Sequence, residues 1–329
     1  MQGESEPPVP GGPATVPEGL VIPPKPPLPA ASATVVEESV VVVDDVVATD
    51  EEDEAASASA LEALWDDARP DDGVDASVPA LAIEGLEKTF GGKVAVAGLD
   101  WRIEPGTFAG LVGPNGAGKT TTLSMIAGLL RPDGGTIRIH GVDVVARERE
   151  AKRLIGVLPD RLRTFDRLTG RQLLTYAGLL RDLPGDVVEA RTASLSRALD
   201  LTPALGRVVG DYSAGMTKKI MLAVAMIHAP RVLVLDEPFE ALDPASSATI
   251  LDILSAYTAN GGTVVLSSHG MDLIERVCDR VAIMAAGSII AEGTVDDVRG
   301  ESSLEERFVE IVGGAGETEG LEWLHTFSG

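Results

Sequence analysis

The octapeptide Gly113-Pro114-Asn115-Gly116-Ala117-Gly118-Lys119-Thr120 constrains this chain more than any other stretch. It fits the phosphate-binding loop pattern G-x-x-x-x-G-K-[ST], which works only between a strand and a helix. Both flanks comply. Phe108–Val112 reads as a short buried strand, and Leu123, Ile126, Ala127 and Leu130 recur at helical spacing. Glycines at 113, 116 and 118 let the backbone close around phosphate oxygens, where a Cβ would clash. Free N–H groups and the positive end of the following helix attract a polyphosphate. Lys119 is expected to reach the β- and γ-phosphates, the Thr120 hydroxyl to ligate Mg²⁺, and Thr121 to belong with the loop to the nucleotide-binding residues. A bound nucleoside triphosphate is implied.

The remaining composition narrows the setting. Of the net charge of -24, residues 1–78 carry 18 acids against 2 bases, so the tail holds -16 and the rest about half as much. Such an acidic chain has no electrostatic footprint for nucleic acid. No stretch reaches the roughly 18 apolar residues of a membrane span. The N-terminus lacks the basic and apolar regions of a signal peptide, so a cytoplasmic protein is expected. The one cysteine, Cys278, excludes an intrachain disulfide and reads as a small apolar residue on a helix face.

Residues 1–78 open with ten prolines between Pro7 and Pro29, continue through a valine-rich stretch, and reach the acidic run Asp50–Glu54. Few aromatics and self-repelling charge predict a disordered, solvated tail, with one short helix over Ser59–Trp65. A folded unit is expected over 79–300, with a short extension over 301–329. Strands are expected at Ala80–Leu86, Val94–Ile103, Thr136–His140, Leu154–Leu158, Val232–Leu235 and Thr263–Leu266, and a closing hairpin around Ala286-Gly287. Helical periodicity covers Leu168 to about Ala225, and again Ala245–Ala259. Strands alternating with helices predict an α/β fold with a largely parallel sheet and an inserted helical subdomain at about 162–226.

Val232–Leu235 ends in two adjacent carboxylates, Asp236 and Glu237. Neighbouring residues at a strand end point opposite ways. Asp236 is therefore expected at the metal, through water, and Glu237 at the attacking water. Tyr212-Ser213-Ala214-Gly215-Met216 precedes that strand, Ala241-Leu242-Asp243 follows it, and Ser267-Ser268-His269 ends the next one.

This succession resembles the ATP-binding cassette (ABC) ATPase family over residues 80 to about 298, and within it the single-cassette subunit of ABC-2-type exporters. The resemblance implies a P-loop NTPase, RecA-like core with an antiparallel β subdomain. It also implies a role for each matching residue. Phe90 would stack on adenine. Ser213 and Gly215 would contact the γ-phosphate bound to the other protomer, and Asp243 would link the two sites. His269 would hold the γ-phosphate and the water. Two matches depart from the family pattern. Asp160 stands where many members place a metal-touching glutamine; it is assigned to the metal shell but cannot donate a hydrogen bond. Ala214 and Met216 stand where Gly and Gln are commonest, and Ala214 matters only if φ is positive there.

The implied activity is ATP hydrolysis with Mg²⁺. The implied partners are a second identical or homologous cassette, closing head to tail, and a separate permease that seats the chain on the inner face of the cell membrane. The permease's coupling helix would dock on the segment Asp160–Gly170 and the helix beginning near Arg171. Two alternatives stay open: a soluble ABC ATPase without a transport role, and a nucleotide-binding regulatory module with weak hydrolysis.

Overall fold

The computed structural model describes residues 77–160 and 165–315. The acidic tail, the helix expected at Ser59–Trp65, residues 161–164 and the end of the chain lie outside the described residues.

Among the described residues ten strands form two sheets. β1 (Leu81–Phe90), β2 (Lys93–Ile103), β4 (Gly134–Ile139) and β5 (Val142–Asp143) make an antiparallel sheet of order β2-β1-β4-β5. β3 (Phe108–Val112), β6 (Ile155–Leu158), β7 (Val232–Asp236), β8 (Thr263–Ser268), β9 (Arg280–Ala285) and β10 (Ser288–Thr294) make the other, of order β10-β9-β3-β8-β7-β6. Its neighbours run parallel except β10, which pairs antiparallel with β9. Every residue of β3, β7 and β8 is buried. Near-continuous apolar runs are what a sheet covered on both faces requires.

Alternation along those strands divides the interior in two. Val232 and Val234 of β7 join Leu111, Val265 and Met284 in a core shared with Leu81, Ile83 and Leu99 of the antiparallel sheet and with helix α1 (Lys119–Ile126). Leu233 and Leu235 point the other way, into a core with Leu173, Leu195, Leu222 and Ile250. These come from α3 (Gly170–Leu179), α4 (Gly185–Ala198), α5 (Ala214–Met226) and α6 (Pro244–Ala259), which follow the short α2 (Glu148–Leu154). The helices over 170–226 thus pack into one core with the sheet. α7 (Met271–Val277), α8 (Val295–Arg299) and α9 (Leu304–Ala315) complete the described chain.

Several boundaries differ from expectation, each for a local reason. β1 runs on to Phe90 because Gly91 and Gly92, with φ of 53° and 86°, supply the two left-handed residues of a tight hairpin. β4 ends before His140, whose φ of 45°, with Gly141 at 76°, makes the same kind of turn into β5. Leu154 closes α2, and β6 starts one residue later. Cys278 caps the end of α7, buried, and burial raises its thiol pKa far above the ordinary range.

Candidate nucleotide site

Three parallel neighbours, β3, β8 and β7, bring their carboxyl ends side by side. The register pairs Val112 with Ser268 and Asp236 with Ser267. Chain order does not announce this, since β8 lies between two strands that precede it. The loop 113–120 leaves the end of β3, Asp236 and Glu237 leave β7, and His269 leaves β8. This is the crevice where open α/β sheets bind ligands.

The loop is held tightly from behind. A Cβ on Gly113 would stand 2.2 Å from the Met284 carbonyl oxygen, and one on Gly118 2.4 Å from that of Ala95. Gly118 also carries φ of 109° and stands directly before α1. Gly116, at φ 80°, faces open space, and Pro114, Asn115 and Thr120 are exposed. Ala117 is buried, its N–H donating to the Pro114 carbonyl at 3.1 Å. The Lys119 ammonium turns back into the loop and donates to the Gly113 carbonyl at 2.6 Å and to that of Pro114 at 3.3 Å. Burial lowers its pKa, and the negative charges of Glu237 and Asp236 pull it back up. The two carboxylates and the ammonium therefore share one electrostatic site.

Asp236 is buried, and its Oδ1 accepts the Ser267 hydroxyl at 2.5 Å. Glu237 lies in the left-handed region, at φ 49°, and its N–H donates to the same Ser267 oxygen at 3.0 Å. That turn sets Glu237 off from the regular strand at the end of β7. Glu237 Oε2 meets His269 Nδ1 at 3.0 Å, with the carboxylate mostly buried and the imidazole exposed.

Two further groups belong here that sequence reasoning did not assign. Ser267 served only to mark a strand end, yet it bridges both carboxylate residues. Lys218, on α5, donates to the Glu237 carbonyl at 2.7 Å and to the Glu240 carbonyl at 2.5 Å. Burial lowers its pKa, and Glu240, Asp160 and Glu237 raise it. Lys218 thus also brings Asp160, half-buried after β6, into the electrostatic surroundings of Glu237.

Ser213, Gly215 and Asp243 form a separate group. Ser213 caps α5, accepting from the Met216 N–H at 3.3 Å, and Asp243 caps α6, accepting from Ser246 at 2.9 Å. The Ser246 N–H, with the Ser246 hydroxyl, holds the exposed Asp243 carboxyl below its usual pKa. A Cβ on Gly215 would lie 3.2 Å from Ser246 Oγ and 3.6 Å from Asp243 Oδ2, so the two helix starts abut. Ala214 begins α5 with no positive φ, so alanine there costs no strain. Met216 packs beside the helical core. No hydrogen bond or ion pair among the described residues ties this group to the loop 113–120. Phe90 stands on the hairpin of the antiparallel sheet with its ring 49% exposed and the Lys88 ammonium 5.4 Å from its centroid.

Of the residues expected at a divalent cation, Thr120 is exposed at the start of α1, Asp236 is buried at the end of β7 and Asp160 is half-buried after β6. Among the described residues no three His, Cys, Asp or Glu side chains gather into a metal cage. Few protein oxygens beside a phosphate cradle suit Mg²⁺, which takes its remaining positions from phosphate and water.

Comparison with known proteins agrees. Residues 96–240 match the family model described as "ABC transporter". A daunorubicin resistance ATP-binding protein of Streptomyces coeruleorubidus is 40% identical over 224 residues, 68% of this chain and 71% of that one. A Nod factor export ATP-binding protein of Burkholderia lata is 38% identical over 220 residues, 66% of this chain and 71% of its own. A solved ATP-binding subunit of an ABC transporter superposes with a TM-score of 0.67 at 29% identity, covering 71% of this chain and 99% of its own. Loop, adjacent carboxylates and shared sequence lead to one assignment: the chain belongs to the ABC transporter family and is one of its ATP-binding-cassette ATPases.

Proposed function

We propose that the chain is the motor subunit of an ABC-2-type exporter, hydrolysing ATP to drive a separate membrane-spanning permease. The Glu237–His269 pair, 3.0 Å apart beside Lys119 and Asp236, carries this reading. Export follows the relatives, which by their names serve drug resistance and Nod factor export.

Phe90, half-exposed, stacks on the adenine. Backbone N–H groups of residues 113–121 and the start of α1 hold the phosphates. Lys119 exchanges its bonds to the Gly113 and Pro114 carbonyls for the β- and γ-phosphates, which keeps the ammonium partnered in both states. Thr120, Asp236 and Asp160 are the residues that would hold Mg²⁺. When bound, Mg²⁺ neutralises charge that develops on the transferred phosphoryl group. Glu237 orients the attacking water and accepts its proton, while His269 steadies the carboxylate and reaches the γ-phosphate.

Ser213 and Gly215 complete the site of a second cassette, identical or homologous, closing head to tail. Their distance in bonding from this chain's own loop supports that assignment, as does a helix N-terminus behind them. Asp243, abutting Gly215, links that contact to the turn after Glu237. Among the described residues no helix is long and apolar enough to cross a membrane. The permease then holds the chain peripherally at the inner face of the cell membrane, touching it near residues 160–170.

Glu237→Gln tests the reading. Phosphate release should fall on the order of 100-fold or more, the usual scale of general-base loss. Binding of a fluorescent ATP analogue should persist, and gel filtration with Mg-ATP should show a dimer. Turnover near the wild-type rate would refute the role of Glu237, and a persistent monomer would refute the head-to-tail pairing.

A further inference from the structure

One surface feature stands apart from the nucleotide site. In a chain of net charge -24, Arg149, Lys152 and Arg153 of α2 gather with Arg181, beyond α3, around a cleft edged by Leu180 and Asp182. Arg181 donates to the Lys152 carbonyl, which fixes α2 against the end of α3. Acidic neighbours offset only part of this charge. Glu148 pairs with Lys152 at 2.5 Å, and Asp182 stands 3.6 Å from Arg153. Arg149 is exposed and has no ion pair among the described residues. Leu179 and Leu180, 54% and 64% exposed, extend the cleft with apolar surface.

A short series of contacts leads from the first described residues to the start of α2, the helix that carries three of these cations. Val78 Cγ1 would touch a Cβ on Gly141 at 3.5 Å, and the Gly141 carbonyl accepts from Arg147, the residue that leads into α2. Immediately upstream, residues 48–76 carry eleven acidic side chains against one basic. They also carry Leu61, Leu64 and Trp65. Glu54 precedes Ser77 by 23 residues, a length that spans at most roughly 80 Å when extended. Blocks of like charge of this kind commonly serve as interaction segments.

From this juxtaposition we infer that the acidic segment 50–75 docks in cis on the cleft of Arg149, Lys152, Arg153 and Arg181. Its carboxylates meet the four cations, and its apolar residues cover Leu179 and Leu180. The contact is salt-sensitive and lies on the helix that runs directly into β6. It does not depend on the transport reading, because it forms without nucleotide or permease.

Zero-length carbodiimide crosslinking of the full chain, read by peptide mass spectrometry, tests it. Lys152 should be the main lysine joined to carboxylates of 50–75, with exposed Lys93 as the control. The yield should fall several-fold in the R149E/R153E double variant. It should fall likewise for the unmodified protein between about 0.1 M and 1 M salt, where the Debye length shrinks from about 10 Å to about 3 Å. Equal reaction at Lys93 and Lys152, or a yield indifferent to salt, would overturn the inference. Links found only between heavy- and light-isotope chains would overturn it in favour of a second copy. Absent Lys152 links, with binding to phosphatidylglycerol vesicles that R149E/R153E abolishes, would give the cleft to a lipid surface instead.

Discussion

The Ser267 hydroxyl donates to Asp236 Oδ1 at 2.5 Å, and the pair sits in register across two parallel strands. The same oxygen accepts the Glu237 N–H at 3.0 Å. One side chain therefore sets the positions of the carboxylate assigned to the metal and the carboxylate assigned to the water.

Ser267→Ala should cost stability as well as turnover. It removes a donor from a buried carboxylate and an acceptor from the Glu237 N–H. A loss of about 1–3 kcal/mol is the usual scale for such orphaned groups. Denaturant unfolding and phosphate release, measured on one preparation, check both effects. Wild-type stability in this variant would show that water replaces the hydroxyl freely.

The three loop glycines should separate by mechanism. Gly113→Ala and Gly118→Ala drive a Cβ into the Met284 and Ala95 carbonyls, at 2.2 Å and 2.4 Å, so neither should give a stable fold. Gly116→Ala meets open space and carries only the strain of φ 80°, about 1–3 kcal/mol. It should fold and bind nucleotide more weakly. Thermal melts of the three variants decide the order, and equal melts would refute it.

Lys218 ties α5 to the turn that aims Glu237. Lys218→Met keeps the aliphatic stem and deletes the donor to the Glu237 and Glu240 carbonyls. Turnover should fall several-fold while nucleotide affinity changes little, and Lys218→Arg should recover part of it. A change in affinity alone would mean that the ammonium acts on the nucleotide and not on the turn.

Acid should destabilise the fold through its buried histidines. Burial first, then the nearby Arg181, lowers His228 to about 3, although the Ile155 carbonyl beside Nε2 pulls it upward. Burial and Arg231 lower His140 to about 4. Unfolded histidines titrate near 6.5, so below that pH the unfolded chain binds more protons than the folded one. Stability is thus fully present above about pH 6.5 and drains as pH falls toward 3 or 4, at roughly 1.4 kcal/mol per unit per fully buried group. His228→Gln keeps a donor for the Ile155 carbonyl and removes this proton linkage. Between pH 7 and 5 it should lose less stability than the wild type, by about 1–2 kcal/mol on that scale. Equal losses in the two proteins would exclude His228 as a source of the acid limb.

What could be read without coordinates were the local features whose chemistry depends on adjacent residues. The loop declared itself because glycine spacing, Lys119 and the flanking strand and helix lie within about two dozen positions. The apolar run before Asp236 announced a strand, and periodicity announced α6. Tertiary structure alone decided which strand ends meet. β8 inserts between β3 and β7, so Ser267 reaches two residues some thirty positions earlier. The Ala95 and Met284 carbonyls back the loop from a hairpin and a distant strand, and Lys218 arrives from a helix. Spacing along a chain dictates helices, strands and turns, because those depend on neighbouring dihedrals. The partners of a buried hydroxyl or ammonium depend on packing order, which only the folded sheet supplies.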